Sequence, residues 1–437
     1  MGSISKSVAA WGVMRLVETG RMDLDAPVES YPTRWHLPPS EFDSAGVTIG
    51  RLLSHTAGIN SQDNGPVTTR PLPTLEESMN GGSGMPGDRL GSDDVRITAA
   101  PGSGFTYSNG GYSLLQLAVE EVVGESFATY MQREVLAPLG MTRSSFTESA
   151  ALAAVTATGY TGAPPRAVPA YAFTEQAAGG LYTSATDVAR FVAAGMTGPG
   201  GEPRGRGILT PTGVEALFRP MSILDGNGMP TSLAYELETL SDGTQSAAHG
   251  GKNTGWLSQF ITIPGRAEGL VVLTNSDSSG PVGLAAQDWA DALGVGAPKT
   301  SRMIAAELDP YYWAIGVTGG LLGLVTLVIV YALLRGRGAG RRTWMWRRGN
   351  RPPLAGWAVR FAVLLTVFTL PAGWWVQPIR ATLTSIAPLL TTLTTVALFA
   401  LCLAAAAAVL TRARSVSAPA EPTPVVAGAG HRHPVRV

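Results

Sequence analysis

The sequence predicts an α+β domain followed by a module of three membrane-spanning helices. Three observations carry this. Apolar residues recur with helical period through the front of the chain, and two β-rich runs follow one another within 246–276. Three uncharged runs then fill most of the remainder.

At 437 residues the chain is long enough for one large domain plus further elements. Its formal net charge of zero conceals two opposite parts. Residues 1–309 hold 31 of the 32 acidic and 19 of the 32 basic residues, a net of −12, and the rest carries +12. A basic footprint is what nucleic acid requires, so an acidic front argues against nucleic acid as a partner. The apolar fraction of 45% with 53 glycines fits a folded globule rich in turns. Cys402 is the single cysteine, which excludes an internal disulfide and a cysteine metal cluster. No His-x-x-x-His pattern occurs, and neither a metal nor another cofactor is expected.

The first element is a helix. Ser3 or Ser5 can cap it, and Val8, Val13, Met14, Leu16 and Val17 supply its apolar period. Ser3 and Lys6 stand at i and i+3, so a helix sets the Lys6 amine beside the Ser3 hydroxyl. A serine hydroxyl is a weak nucleophile until a neighbour takes its proton. A lysine does this when desolvation and nearby positive charge depress its pKa. Residues 47–60 (VTIGRLLSHTAGIN) read as a short helix, with Leu52 and Leu53 facing the core and Gly58 ending it. On that reading His55 is structural.

Tyr107-Ser108-Asn109 sits in a turn, followed by a helix with the stripe Leu114, Leu117, Ala118 and Val122. Ser184 and Asp187 are spaced as a capping box before an amphipathic helix. FITI and LVVLTN read as strands joined by a Pro-Gly turn, with His249-Gly250-Gly251 ahead of them. Lys252 in GKNT does not make a phosphate loop, because strand residues follow where a helix should open.

Residues 311–334, 361–379 and 381–411 are uncharged and long enough to span a bilayer, with helices expected at about 311–334, 357–377 and 384–411. Residues 335–351, between the first and second spans, hold seven arginines and no acid, and the tail from 412 is basic. The positive-inside rule places that loop and the 412–437 tail, expected to be disordered, in the cytoplasm. The front domain, expected over 1–295 with a linker at 296–310, then faces outward from a multi-pass protein of the cell membrane. Yet residues 1–25 show no continuous apolar run of a signal peptide.

Taken in order, GSISK, DLDAPV, LLSHTAGI, YSNGGY, PLGM, AGGLYTSATDVARF and HGGKNTGW resemble the serine β-lactamase/penicillin-binding-protein superfamily, in its class C-like branch of β-lactamases, DD-peptidases and esterases. The resemblance implies an antiparallel five-stranded sheet with flanking helices plus an all-α region. It also implies acyl transfer on an amide or ester, the candidates being a D-amino-acid peptide, a β-lactam or an ester. It makes Ser3 the nucleophile, Lys6 and Tyr107 its base and proton shuttle, and His249 the residue of the third motif. Asn109, Gly251 and Lys252 would bind substrate, with the amides of Ser3 and Lys252 as the oxyanion hole. His249 stands where a lysine is more familiar, which leaves the site less cationic.

Members of this superfamily carry strands ahead of the serine that complete the same sheet. The chain is therefore expected to be truncated at its front, with Met1 an internal methionine. Two alternatives stand beside the membrane-anchored hydrolase. One is an inactive ligand-binding homologue. The other is a Ser-His-Asp hydrolase using His55 or His249, for which no Gly-x-Ser-x-Gly elbow occurs. The expected partners are a small-molecule or peptide substrate and the lipid bilayer.

Overall fold

A computed structural model describes residues 1–303, apart from 32, 62–71, 82–93, 163–164, 170–171, 222, 224 and 226–227, together with Gly320 and Leu327. The chain divides into two compact units, Met1–Glu307 and Leu308–Val437. The three uncharged runs lie outside the described residues, save for Gly320 and Leu327, which are helical. Among the described residues no helix is long and apolar enough to cross a membrane.

Ten α-helices and six strands make up most of the secondary structure described in the first unit. They begin with α1 (Ile4–Glu18), α2 (Ile49–Leu53), α3 (Leu75–Met79), α4 (Asn109–Val123), α5 (Phe127–Met131) and α6 (Ala150–Ala153). A short hairpin of β1 (Tyr160–Thr161) and β2 (Arg166–Ala167) precedes α7 (Gln176–Gly179), α8 (Ala185–Ala194) and α9 (Pro211–Leu217). The sheet follows as β3 (Glu236–Thr239), β4 (Gln245–Asn253), β5 (Trp256–Ile263) and β6 (Glu268–Thr274), and α10 (Gly280–Leu293) comes after it.

Helix α1 is the centre of the core. Ile4, Val8, Ala10 and Trp11 are fully buried, and its neighbours include α4, α5, α7, β4 and β5. A helix buried on nearly every side belongs to the interior of a large domain. The burial of polar atoms along it is matched by partners. The Trp11 indole donates to the Tyr235 hydroxyl at 3.0 Å, the Tyr130 hydroxyl donates to the Gly12 carbonyl at 2.8 Å, and the Ser7 hydroxyl donates to the Ala234 carbonyl at 2.7 Å.

The sheet is antiparallel throughout, in sequence order. β5 and β6 turn at Pro264-Gly265, with Ile263 opposite Glu268 as the alternation of the two runs requires. His249 lies within β4 opposite Phe260. Four strands are described where the resemblance implied five. All four follow residue 235 in sequence.

Helix α8 departs from its sequence reading in one detail. The Ser184 hydroxyl accepts from the Asp187 amide at 3.3 Å, as half of a capping box requires. The fully buried Asp187 carboxylate does not complete the box. It accepts from the Arg143 amide at 2.7 Å and the Ser144 hydroxyl at 2.8 Å, and pairs with Arg190. A buried carboxylate needs several donors, and this loop offers more than the cap does. Helix α2 likewise stops at Leu53, before Gly58, which takes a left-handed φ of 71° close against the Ala99 carbonyl.

The stretch expected to be a linker is packed in its described part. Residues 299–303 are helical, the Lys299 amide donates to Glu238 at 2.9 Å, and Arg302 pairs with the same carboxylate at 2.6 Å.

Candidate active site

Ser3 stands at the N-cap position of α1, where neither its side chain nor that of Ser5 makes the expected capping bond, and one helical turn later Lys6 is fully buried. The Lys6 ammonium donates to the Ser3 hydroxyl at 3.1 Å, to Asn109 Oδ1 at 2.8 Å and to the Ala178 carbonyl at 2.6 Å. All three of its N–H groups are thereby used. Its charge also lies 4.9 Å from the Tyr107 ring centre and 5.3 Å from that of Tyr112. Burial nonetheless lowers its pKa to about 7, so neutral amine and ammonium are both accessible near pH 7. When the proton leaves, the Ser3 contact is the one that can reverse. Asn109 Oδ1 and the Ala178 carbonyl only accept, whereas the Ser3 hydroxyl can donate to the amine. This is the arrangement a serine nucleophile needs.

Asn109 is placed by α4, whose N-terminus is capped by the Ser108 hydroxyl accepting from the Gly111 amide at 2.8 Å. Tyr107, one residue before that cap, is 36% exposed over the whole side chain, and its hydroxyl hydrogen-bonds Ser3. Packing around the hydroxyl raises the phenol pKa, and the bond to Ser3 offsets this only in part. Tyr107 is therefore a neutral phenol at pH 7, suited to relaying a proton and not to holding a negative charge.

Ala178 is held by the turn of α7. Gln116 donates to the Thr174 carbonyl at 3.1 Å and accepts from the Ala177 amide at 3.1 Å, which fixes the carbonyl that meets Lys6. At the start of this turn Glu175 is buried against the Ser78 hydroxyl, and burial raises its pKa to about 7. The folded protein keeps this proton between about 4.5 and 7, where the unfolded chain releases it. Stability from the protonated carboxyl is thus full below 4.5 and is lost as pH rises through 7. Glu175→Gln is expected to raise stability by about 2–3 kcal/mol at pH 8 and to change it little near pH 4, read from denaturant midpoints. An equal effect at both pH values would refute the protonation argument.

β4 approaches the N-terminus of α1 closely. A Cβ on Gly251 would stand 2.1 Å from the Met1 carbonyl oxygen and 3.1 Å from the Ser3 amide nitrogen, and one on Gly2 would stand 2.7 Å from the Lys252 amide nitrogen. Glycine at both positions lets the backbone carrying the Lys252 amide pass at close range to the backbone carrying the Ser3 amide. Two backbone donors so placed suit a developing oxyanion.

These elements form one recognisable assembly, and the pattern of the Beta-lactamase family matches residues 1–294. The chain belongs to the Beta-lactamase family. Its serine hydrolase fold is shared with the octameric penicillin-binding protein homologue from Pyrococcus abyssi, at a TM-score of 0.54 and 28% identity, over 69% of this chain and 67% of that one. In sequence it is similar to penicillin-binding protein 4 of Amycolatopsis lactamdurans, 27% identical over 283 residues, covering 63% of this chain and 71% of the relative. It is also similar to the putative penicillin-binding protein PbpX of Bacillus subtilis, 28% identical over 197 residues. That second match spans 44% of each chain, less than half of the relative's length.

Within the Beta-lactamase fold, Ser3, Lys6, Tyr107 and Asn109 meet through direct contacts. His249, Gly251 and Lys252 lie on the adjoining strand. His249 is 4% exposed, its Nδ1 faces the Gly250 carbonyl at 2.7 Å, and burial lowers its pKa. It is thus neutral at pH 7. His55 takes a φ of 59° and accepts from the Ser108 amide at Nδ1, 3.1 Å away, with its ring centre 4.3 Å from that of Tyr107. In both histidines the position a triad carboxylate would occupy is already filled by backbone. His55 instead holds the Tyr107 turn, as its sequence reading expected of a structural residue. Ala178 and Gln116 were missed by that reading. A backbone carbonyl has no side-chain signature, and a lone glutamine on a helix has many uses.

Proposed function

We propose that the chain is a serine hydrolase working through an acyl-enzyme on Ser3, with an amide or ester as substrate. The contact of the half-deprotonated Lys6 amine with the Ser3 hydroxyl carries this reading. Lys6 takes the Ser3 proton as the oxygen attacks the carbonyl carbon, and the Ser3 and Lys252 amides receive the oxyanion. Tyr107 passes a proton to the departing oxygen or nitrogen, and water then releases the acyl group to restore Ser3. Asn109 holds both Lys6 and a polar group of the substrate.

The three uncharged runs of the C-terminal part anchor this domain in the membrane, with the hydrolase domain outside the cytoplasm. The charge distribution of the loop at 335–351 and of the tail supports that orientation. On this layout the hydrolase domain spans 1–295, with the three helices at about 311–334, 357–377 and 384–411.

The test is intact-mass labelling with a fluorophosphonate probe. One adduct is expected on the chain and none on Ser3→Ala of equal thermal stability. A chain that folds but takes no adduct would reject acyl transfer and favour an inactive binding homologue.

A further inference from the structure

A cavity of about 180 Å³ opens beside Tyr107 and His249, and its wall continues through His55 to Glu236, Asp225 and Lys299. Glu236 opens β3 and pairs with Ala248, the neighbour of His249 on β4. Lys299 Nζ lies 3.5 Å from Asp225 and 3.6 Å from Glu236, so one cation faces two carboxylates. The remaining lining adds no charge, because burial keeps both histidines neutral at pH 7. The cavity therefore holds one net negative charge. The Glu236 side chain is 47% exposed, and its field reaches both Tyr107 and His249.

The position of the cavity decides which part of a substrate enters it. The attacked carbonyl must lie against Ser3 with its oxygen toward the Ser3 and Lys252 amides. Tyr107, bonded to Ser3, is the group placed to protonate the departing atom. Space beyond Tyr107 and His249 therefore receives the departing part. Building on the serine hydrolase reading above, we infer that this part carries an ammonium or other cationic group with Glu236 as its counter-charge. A departing part that ends in a carboxylate is disfavoured, since it would face Glu236 and Asp225 with Lys299 already engaged.

For an ester substrate the departing part is an alcohol. The Ser3 oxygen–carbonyl bond forms as the Ser3 proton passes to Lys6. The bond to the alcohol oxygen breaks with a proton from Tyr107, which the proton held by Lys6 replaces. Water then adds to the acyl carbon, one of its protons returns to the Ser3 oxygen as the Ser3–acyl bond breaks, and the acid is released.

The test uses the full chain and three acetyl esters of similar size. Their alcohols are 2-(trimethylammonio)ethanol, 3,3-dimethylbutanol and glycolate. The expected kcat/KM order is cationic, neutral, anionic, with about tenfold or more between the extremes. Glu236→Gln should lower the cationic-to-neutral ratio about tenfold, and Lys299→Gln should raise it by removing the cation that faces both carboxylates. Because each result is a ratio within one variant, a loss of overall activity does not obscure it, and Lys299→Gln serves if Glu236→Gln fails to fold. Equal rates for all three esters, or a preference for the anionic one, would overturn the inference and leave the hydrolase reading intact. So would a fluorophosphonate adduct at Ser3 without turnover of the cationic ester. Absence of both turnover and adduct would overturn the hydrolase reading, and the inference with it.

Discussion

Lys6→Met is expected to slow labelling of Ser3 by roughly 10²–10⁴-fold, the range that a positioned general base contributes. The more diagnostic result is the pH profile. In the parent protein the rate should climb with pH through a midpoint near 7, because the amine is the active form and the ammonium, prevalent below 7, cannot take the Ser3 proton. In Lys6→Met that limb should vanish. A surviving limb with the same midpoint would assign the titration to another group and remove Lys6 from the role of base. The effect is large because a single side chain links Ser3, Asn109 and Ala178, and methionine fills the volume without replacing any of those bonds.

The second large effect is expected at Gly251. An alanine there sets its Cβ 2.1 Å from the Met1 carbonyl oxygen and 2.4 Å from Ser258 Oγ, so β4 must move away from the start of α1. The two amides facing the oxyanion would separate, and loss of one such donor costs about 10²–10³ in rate. Gly250→Ala makes the natural comparison. Its Cβ would make its tight contact, at 3.0 Å, with the end of the Gln259 side chain and none with the start of α1. Labelling rates at matched thermal stability should fall for Gly251→Ala and change little for Gly250→Ala. Equal losses would mean that the close approach of β4 to α1 does not set the oxyanion site.

Much of this arrangement was legible in the sequence because it rests on local rules. The i, i+3 spacing of Ser3 and Lys6, the cap at Ser184 and the alternating runs around Pro264-Gly265 each follow from helix or strand geometry within ten residues. The juxtaposition of Lys6 with Asn109 spans 103 residues, and only the resemblance to a known family brought it forward. What escaped was set by backbone and by burial. The Ala178 carbonyl that completes the lysine's coordination is invisible in a residue string, as is the proton that burial keeps on Glu175. Asp187 fitted a capping box by spacing, and the loop at 143–144 claimed its carboxylate instead. Lys299 read as part of a linker because nothing near it in sequence announces Asp225 or Glu236 as partners.

The burial of α1 on nearly every side has a consequence for how activity fails. Surface helices can fray and re-form while the rest of a protein persists, and amide hydrogens there exchange quickly. The helix that begins at Ser3 has no such freedom, since Trp11, Tyr130 and Tyr235 lock its middle into the interior. Deuterium uptake along it should proceed only through global unfolding. Loss of the nucleophile's geometry and loss of the whole domain should then be a single event, with catalysis disappearing at the same urea concentration as tertiary structure and not before it.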